Sequence, residues 1–212
     1  MNKLLYLKRH GICRACIILL LTSGACQQKE TLPILGRRTV SEQGDTLYHT
    51  VGNYQLVDQD SSEITPGTFE GKIYVADFFF TSCPTICPTM KTQMLRIYRR
   101  FQDESDFALL SHTIDPKHDT VAVLKDYAER LGIESGGLWH FVTGDQGEIY
   151  RLGQSDYMVT AGADSDAPGG FIHSGAFLLV DQQKQIRGVY DGTMPEDVDK
   201  LMEDIELLLR RN

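Results

Sequence analysis

Hydrophobic residues in this chain form short continuous runs that alternate with amphipathic stretches. Mostly apolar runs, which are typical of buried strands, lie at 73–80, 107–114, 139–142 and 175–180, and a further strand is predicted at 185–190. Elsewhere apolar residues recur about every 3.6 positions, which predicts helices, and these stretches are 88–101, 121–131, 147–152 and 196–210. Only a turn separates the last two strands, so they predict a β-hairpin.

The order of these elements predicts the fold class. Helices that alternate with strands indicate a central sheet with helices on both faces. The closing hairpin adds antiparallel strands, which makes the sheet mixed. The stretch at 54–64 predicts a second hairpin in front of this unit. We therefore expect a three-layer α/β fold of the thioredoxin-like kind, with a central mixed sheet and an N-terminal hairpin extension.

The N-terminus has the features of a targeting segment. Residues 1–25 contain four basic and no acidic residues, and their apolar run at 15–21 is shorter than the roughly 20 residues needed to span a bilayer. This pattern predicts a signal peptide. The small residues before Cys26 resemble a bacterial lipoprotein cleavage site, so we expect lipid on Cys26, with ordinary signal-peptide cleavage as the alternative.

The rest of the chain divides into a tether and a domain. The targeting segment implies an exported protein, held by its lipid on the periplasmic side of a bacterial membrane. Residues 26–53 are mostly polar and predict a tether, which leaves 54–212 as the folded domain. The chain has a formal net charge of −8, and of −12 without residues 1–25. No basic stripe offsets this acidity, so we expect no nucleic-acid partner.

The five cysteines fall into two groups. Cys13 and Cys16 lie in the segment predicted to be removed, and Cys26 is the predicted lipid site. Cys83 and Cys87 remain as the thiols of the exported domain, where a cysteine pair indicates a disulfide, a redox couple or a metal site. Two inert core cysteines are a weaker interpretation, because prolines flank the pair at an element boundary.

The Cys83 and Cys87 pair follows the first long predicted strand, where a helix is expected to begin. Residues i and i+4 of a helix share one face, with Cβ atoms about 5–6 Å apart. Both sulfurs are then close enough to hold one ion or, after a modest adjustment, to form a disulfide. A helix N-terminus also lowers the pKa of a thiol and favours the thiolate that both chemistries require.

A third donor is expected from the loop before the final hairpin. A thioredoxin-like topology brings this loop, which contains His173, close to the cysteine pair. Two thiolates and one imidazole form a soft three-donor site that favours Cu(I) and tolerates Cu(II). Zn²⁺ with an open coordination position remains an alternative by ligand type. Three further histidines are expected to be structural or solvent-facing: His112, His118 and His140.

Other side chains near the cysteines have two interpretations each. Met90 and Met94 are thioether donors, but their spacing is typical of the core face of a helix, and we expect them to pack. Asp77 lies on the strand that leads into the site. It is either an outer partner of a metal ligand or an acid at a strand end with a local hydrogen bond, and we favour the second.

Several segments carry a specific pattern that includes the motif Cys-Pro-Thr-Ile-Cys-Pro: 77–88, 113–116 with 119–120, 172–174, 180–181 and 187–192. Together they resemble the Sco family, also called SenC, over about residues 54–209. His112 departs from the small or aliphatic residue usual there, and the loop at 160–170 is variable. The resemblance implies that Cys83, Cys87 and His173 are copper ligands.

The same resemblance implies a function. Sco proteins are membrane-tethered copper proteins of thioredoxin fold that help to assemble the binuclear copper centre of cytochrome c oxidase. We therefore expect a copper chaperone that binds one copper ion, takes it from a donor that the sequence does not identify, and delivers it to the oxidase subunit with the binuclear site. A metal-independent thiol–disulfide oxidoreductase is the main alternative. A scaffold with a structural disulfide and a peroxidase are weaker ones.

Overall fold

The computed structural model describes residues 31–210. The predicted signal peptide and Cys26 lie outside these residues. Within them, the strands are β1 (Arg38–Val40), β2 (Thr46–Tyr48), β3 (Leu56–Asp58), β4 (Glu63–Ile64), β5 (Ile73–Phe79), β6 (Phe107–Thr113), β7 (Trp139–Thr143), β8 (Ala161–Ala163), β9 (Phe171–His173), β10 (Ala176–Val180) and β11 (Ile186–Asp191). The α-helices are α1 (Cys87–Phe101), α2 (Val121–Leu131), α3 (Gln146–Arg151) and α4 (Pro195–Leu209).

A seven-stranded sheet forms the centre of the domain, in the order β11-β10-β5-β6-β7-β3-β4. The pairs β5–β6 and β6–β7 are parallel, and the other neighbouring pairs are antiparallel. All residues of β5 and β6 are buried, as their continuous apolar runs predicted. The mixed central sheet and the thioredoxin-like α/β fold expected from the sequence are confirmed.

Helices cover both faces of this sheet. The crossovers β5-α1-β6 and β6-α2-β7 advance in the same direction, so right-handed connections place α1 and α2 on one face. The ion pair between Arg96 and Asp199 joins α4 to α1 on that face. A π-helical turn that continues α3 lies against the opposite face, where a Cβ on Gly153 would meet the ring of Phe78. The three layers therefore enclose β5, which leads into the cysteines.

Capping residues fix the bounds of α2. The hydroxyl of Thr120 accepts a hydrogen bond from the backbone N–H of Val123, and the helix ends at Gly132 in the left-handed conformation, with φ of 73°. The predicted span of 121–131 matches the observed helix. None of the helices within 31–210 has the length and apolar character required to cross a membrane.

The hairpin predicted at 54–64 is present, but it belongs to the main sheet. Strands β3 and β4 pair with each other, and β3 also pairs with β7. The backbone hydrogen bonds of β3 are therefore shared with the core sheet, which a sequence pattern of two short strands does not specify. The segment 160–170 also differs from the irregular loop expected there, because β8 pairs with β9 in a separate two-stranded sheet.

Residues 31–53, which lie in the predicted tether, contact the domain. The backbone N–H of Leu35 donates to the carbonyl of Ile186 at 2.8 Å, and that of Val51 donates to the carbonyl of Lys184 at 2.9 Å. The same segment forms the exposed hairpin β1–β2. Backbone hydrogen bonds therefore attach this segment to β11 and to the turn before it, a contact that its polar composition does not predict.

Candidate metal centre

The two cysteines occupy different local structures at the carboxyl end of β5. Cys83 lies in the loop after the strand, and Cys87 is the first residue of α1. The expectation that both lie on one helical face is therefore wrong for Cys83. Pro88 supplies the reason, because proline is tolerated in the first turn of a helix but removes a hydrogen bond and clashes further inside. A helix that began at Cys83 would place Pro88 in its interior.

His173 reaches the cysteines from the β8–β9 hairpin. It lies opposite Ala161 in the register of this hairpin, and the N–H of Ser174 donates to the carbonyl of Thr160 at 2.8 Å. The ring of Phe80 meets the imidazole edge to face, with ring centroids 5.8 Å apart. A backbone ladder on one side and an aromatic ring on the other therefore position this imidazole.

The three predicted donors converge. The Nε2 atom of His173 lies 3.3 Å from Sγ of Cys87 and 3.9 Å from Sγ of Cys83. All three donor atoms lie within 4.8 Å of one another, and both sulfurs belong to buried residues. Nδ1 of His173 donates to the carbonyl of Ser174 at 3.1 Å. This bond orients the ring so that Nε2 faces both sulfurs, where it donates to a thiolate while it carries a proton and can bind a metal ion once that proton is lost.

The pKa of the Cys83 thiol is lowered to about 6. Burial opposes this shift, but hydrogen bonds with His173, with Thr85 and from the backbone N–H of Cys87 outweigh it. Helix α1 contributes to the lowered pKa of Cys83, because its N-cap residue, Ile86, makes no side-chain hydrogen bond to the first turn. An N–H group of the first turn is thus available to the sulfur rather than to a capping oxygen.

The pKa of the Cys87 thiol is raised well above its usual range. Burial is the main cause, and the neighbouring Cys83 and Asp77 add to it because a second negative charge is unfavourable there. At neutral pH the pair therefore holds one thiolate and one thiol. Binding of a cation at both sulfurs would lower the pKa of Cys87 again, since the cation supplies the positive charge that stabilises a second thiolate.

Asp77 is buried beneath the site and bonds locally. The hydroxyl of Ser111 donates to its Oδ1 at 2.5 Å, and the indole N–H of Trp139 donates to Ser111 at 2.9 Å. Burial raises the pKa of Asp77 to about 6, although the bond from Ser111 acts in the opposite direction. Of the two interpretations made from the sequence, the local hydrogen bond is the one observed.

The other candidate ligands lie outside the Cys–Cys–His cluster, which is the one such group among the described residues. His112 is fully buried and stacks on Phe78, and burial lowers its pKa to about 4. His140 forms a hydrogen bond with the carboxylate of Asp58 at 3.0 Å. Met90 and Met94 are buried on the core face of α1, as expected from their spacing.

Asp119 is a residue of the site region whose role the sequence did not reveal. Thr120, the next residue, forms the N-terminal cap of α2. The fully buried Asp119 carboxylate instead accepts from the backbone N–H of Thr81 at 3.0 Å, from the Thr81 hydroxyl, and from the Thr113 hydroxyl at 2.5 Å. It thereby ties the start of the cysteine loop to the end of β6.

These features define a thioredoxin-like domain whose cysteine pair meets a histidine from a separate hairpin, an arrangement suited to one soft metal ion or to dithiol chemistry. A family model described as SCO1/SenC matches residues 42–210. The chain therefore belongs to the SCO1/SenC family, as its sequence motifs indicated.

Solved structures resemble this domain. A SCO1/SenC family lipoprotein from Bacillus anthracis superposes with a TM-score of 0.69 at 25% identity, over 76% of this chain and 95% of that one. BsSco, a member of the Sco family of cytochrome c oxidase assembly proteins studied for a disulfide switch, gives 0.66 at 25% identity, over 76% and 93%. Yeast Sco1 with copper bound gives 0.58 at 26% identity, over 74% and 89%.

Proposed function

We propose that this protein is a copper chaperone that binds one copper ion through Cys83, Cys87 and His173. The observation that carries this proposal is the convergence of two sulfurs and one imidazole nitrogen within 4.8 Å. A zinc–sulfur bond is about 2.3 Å long, so two sulfurs bound to one ion of this size lie at most about 4.6 Å apart. A small contraction of the site would therefore suffice to bind the ion.

The chemistry of the donors favours copper as the cargo. Sulfur ligands are soft and select Cu(I), while an imidazole with two sulfurs also accepts Cu(II). A structural zinc site normally has four protein ligands, whereas the described residues supply three here. The relation to yeast Sco1, which has been solved with copper bound, supports the same choice.

The three-donor site suggests how copper is transferred. Of the two cysteines, Cys83 is the first to bind the ion as a thiolate, because Cys87 is still protonated at neutral pH. Binding then releases the Cys87 proton, and His173 completes the site through Nε2. Because three protein donors leave a coordination position open, a ligand of the acceptor can enter before a ligand of this site leaves. Release thus proceeds by ligand exchange.

We further propose that the acceptor is the subunit of cytochrome c oxidase that carries the binuclear copper centre. The relation to BsSco supports this assignment. The chain would be exported after removal of residues 1–25 and held on the periplasmic side of a bacterial membrane by lipid on Cys26. The lipoprotein nature of the Bacillus anthracis relative supports this location, and the domain of residues 54–212 would carry the copper site.

A second function is favoured by the unequal acidities of the cysteines. A thiol with a lowered pKa attacks disulfides readily, and a neighbouring protonated thiol can then resolve the mixed disulfide. Cys83 and Cys87 fit these roles in that order. Without copper, the pair would therefore act as a thiol–disulfide reductase, and its oxidised form would block metal binding until it is reduced.

Copper titration of the reduced protein tests the proposal. We expect binding of one equivalent of Cu(II), with sulfur-to-copper charge-transfer absorption, and competition of the reduced protein with a Cu(I) chelator. His173→Ala should weaken Cu(II) binding strongly while oxidation of the dithiol continues. His140→Ala is a matched control, since His140 lies outside the cluster. Unchanged copper affinity in His173→Ala would contradict the three-donor site. Absence of copper binding in the wild-type protein would contradict the chaperone and leave thiol–disulfide reduction as the function.

A further inference from the structure

A second imidazole stands at the rim of the cysteine loop. His118 lies on the connection between β6 and α2, and 55% of its side chain is exposed. Its Nδ1 atom lies 2.8 Å from Oδ1 of Asp119, whose side chain has no exposure. A buried carboxylate therefore holds an imidazole that is open to solvent.

The contact with Asp119 determines which nitrogen of His118 is available. The Asp119 carboxylate accepts a hydrogen bond from Nδ1–H, so the neutral ring presents the lone pair of Nε2 to solvent. Metal-binding histidines are commonly oriented in this way, by a carboxylate on the second ring nitrogen that also raises the basicity of the ligand. The pair His118 and Asp119 thus has the form of a metal-binding imidazole with its orienting acid.

Other imidazoles in the described part of the chain lack this combination. Nε2 of His49 lies 2.6 Å from the carbonyl of Asp156. His112 is fully buried, and the side chain of His140 is 18% exposed. His118 is therefore the described histidine outside the main cluster that offers both an oriented ring and an accessible nitrogen.

The same carboxylate places His118 beside Thr81, at the start of the loop that contains the cysteines. Asp119 also binds the backbone N–H and the hydroxyl of Thr81, and the Thr81 hydroxyl lies 3.4 Å from Nδ1 of His118. Thr81 precedes Cys83 by two residues, a distance that the chain spans in about 7 Å at most. An ion on His118 would therefore stand next to the loop that contains its final ligands.

We propose that His118 is an accessory Cu(II) ligand, at which an incoming ion binds through Nε2 before it passes to Cys83, Cys87 and His173. One imidazole with water ligands binds weakly, which suits an ion in transit. In the transfer the bond from copper to Nε2 breaks as bonds to sulfur form, the Cys87 proton leaves to solvent, and no electron moves. The transfer step rests on the proposed function, whereas Cu(II) binding at His118 does not.

The binding step is tested without the main site. We would add Cu(II) to the full chain carrying Cys83→Ser, Cys87→Ser and His173→Ala, and record electron paramagnetic resonance for coupling to imidazole nitrogen. We expect a weak site with one imidazole that disappears when His118→Asn is added. His49→Asn in the same background is the matched control and should leave the signal unchanged. An equal signal with and without His118 would overturn the accessory site.

The transfer step is tested with the main site intact. We expect His118→Asn to slow the rise of the sulfur-to-copper charge-transfer band severalfold after mixing with Cu(II), with the final affinity unchanged. Equal loading rates in His118→Asn and wild type would overturn the transit role. If wild type develops no such band, both the proposed function and the transfer step are contradicted. The resonance experiment then still decides whether His118 binds Cu(II).

Discussion

Cys83 and Cys87 lie four residues apart and touch the same imidazole, yet their environments act on their pKa values in opposite directions. Hydrogen bonds reach Cys83 from the first turn of α1, while Cys87 is enclosed by the core. The pair therefore combines a thiolate at Cys83, which can attack a disulfide or bind a metal ion, with a protonated thiol at Cys87. The spacing of the cysteines predicted their proximity, but which of them ionises depends on contacts that only the folded loop provides.

Alkylation tests this difference directly. With the reduced, copper-free protein at pH 7, iodoacetamide should modify Cys83 long before Cys87, because the thiolate is the reacting form. The rate at Cys83 should follow a titration with a midpoint near pH 6. Peptide mapping by mass spectrometry assigns the modified cysteine. Preferential labelling of Cys87, or a midpoint at the ordinary thiol value, would refute the assignment.

Two buried groups near the site oppose each other in their effect on stability. Asp77 has a pKa raised from 3.8 to about 6. Its stabilising contribution to the free energy of unfolding is therefore present below pH 3.8 and is lost as pH rises through 6. His112 has a pKa lowered from 6.5 to about 4, so its contribution is present above pH 6.5 and is lost as pH falls through 4. Across this window the two effects largely cancel.

Asp77→Asn should remove one of these two opposing pH dependences and reveal the other. Asparagine can still accept the bond from Ser111 but does not ionise, so the loss of stability with rising pH disappears. Relative to wild type, we expect the free energy of unfolding of the variant to increase by about 2 to 3 kcal/mol between pH 4 and pH 7. Urea unfolding of the reduced, copper-free proteins measures this difference. A difference that does not change with pH would show that Asp77 titrates normally.

At the scale of elements, the site joins a strand end, a helix start and a hairpin that is separate from the main sheet. The sequence predicted β5 and α1 well, because both have long and clear hydrophobic patterns. It did not predict the β8–β9 hairpin, since three-residue strands such as Ala161–Ala163 carry no detectable periodicity. The position of His173 followed from topology, and its contact with both sulfurs required the folded hairpin.

Gly169 keeps that hairpin close to the cysteine loop. It has φ of 84°, and a Cβ there would lie 3.0 Å from the ring of Phe80 and 3.4 Å from Pro84. Gly170 has nearly the same conformation, with φ of 83°, but a Cβ there meets nothing within 4 Å. These adjacent glycines therefore separate the effect of backbone strain from the effect of close packing.

Gly169→Ala should push the β8–β9 hairpin away from Cys83 and Cys87. We expect copper affinity to fall by about tenfold, which corresponds to about 1.4 kcal/mol, in a competition assay with a copper chelator. Gly170→Ala should lose about 1 kcal/mol of folding stability because of its positive φ, and should keep its copper affinity. Equal affinities in the two variants would mean that the hairpin does not depend on this packing.

Across the described domain, residues 32 and 33 are attached at the end of the sheet opposite the metal centre. The partly buried Arg187 forms an ion pair with the buried Asp181 at 2.7 Å and donates to the carbonyls of Leu32 and Pro33. These contacts fix the segment from residue 32 near the start of β5, whereas the cysteines follow its end. The general architecture was predictable from the alternation of strands and helices. This attachment was not, because it depends on one arginine meeting distant backbone carbonyls.

Arg187→Gln tests how strongly the N-terminal segment is attached. Loss of the arginine leaves Asp181 buried without its partner, so we expect the free energy of unfolding to fall by about 3 kcal/mol. Arg130→Gln is the matched control, because Arg130 pairs with Asp126 on the surface and should contribute less than about 1 kcal/mol. Chemical denaturation measures both. Equal losses would show that the buried pair does not hold the segment.

The most direct test of the proposed function is X-ray absorption spectroscopy of the reduced protein loaded with one equivalent of Cu(I). We expect copper coordinated by two sulfurs and one imidazole nitrogen, with loss of the nitrogen in His173→Ala and loss of one sulfur in Cys83→Ser. A copper ion surrounded only by oxygen and nitrogen, or one whose sulfur ligands persist after substitution of Cys83 and Cys87, would contradict it.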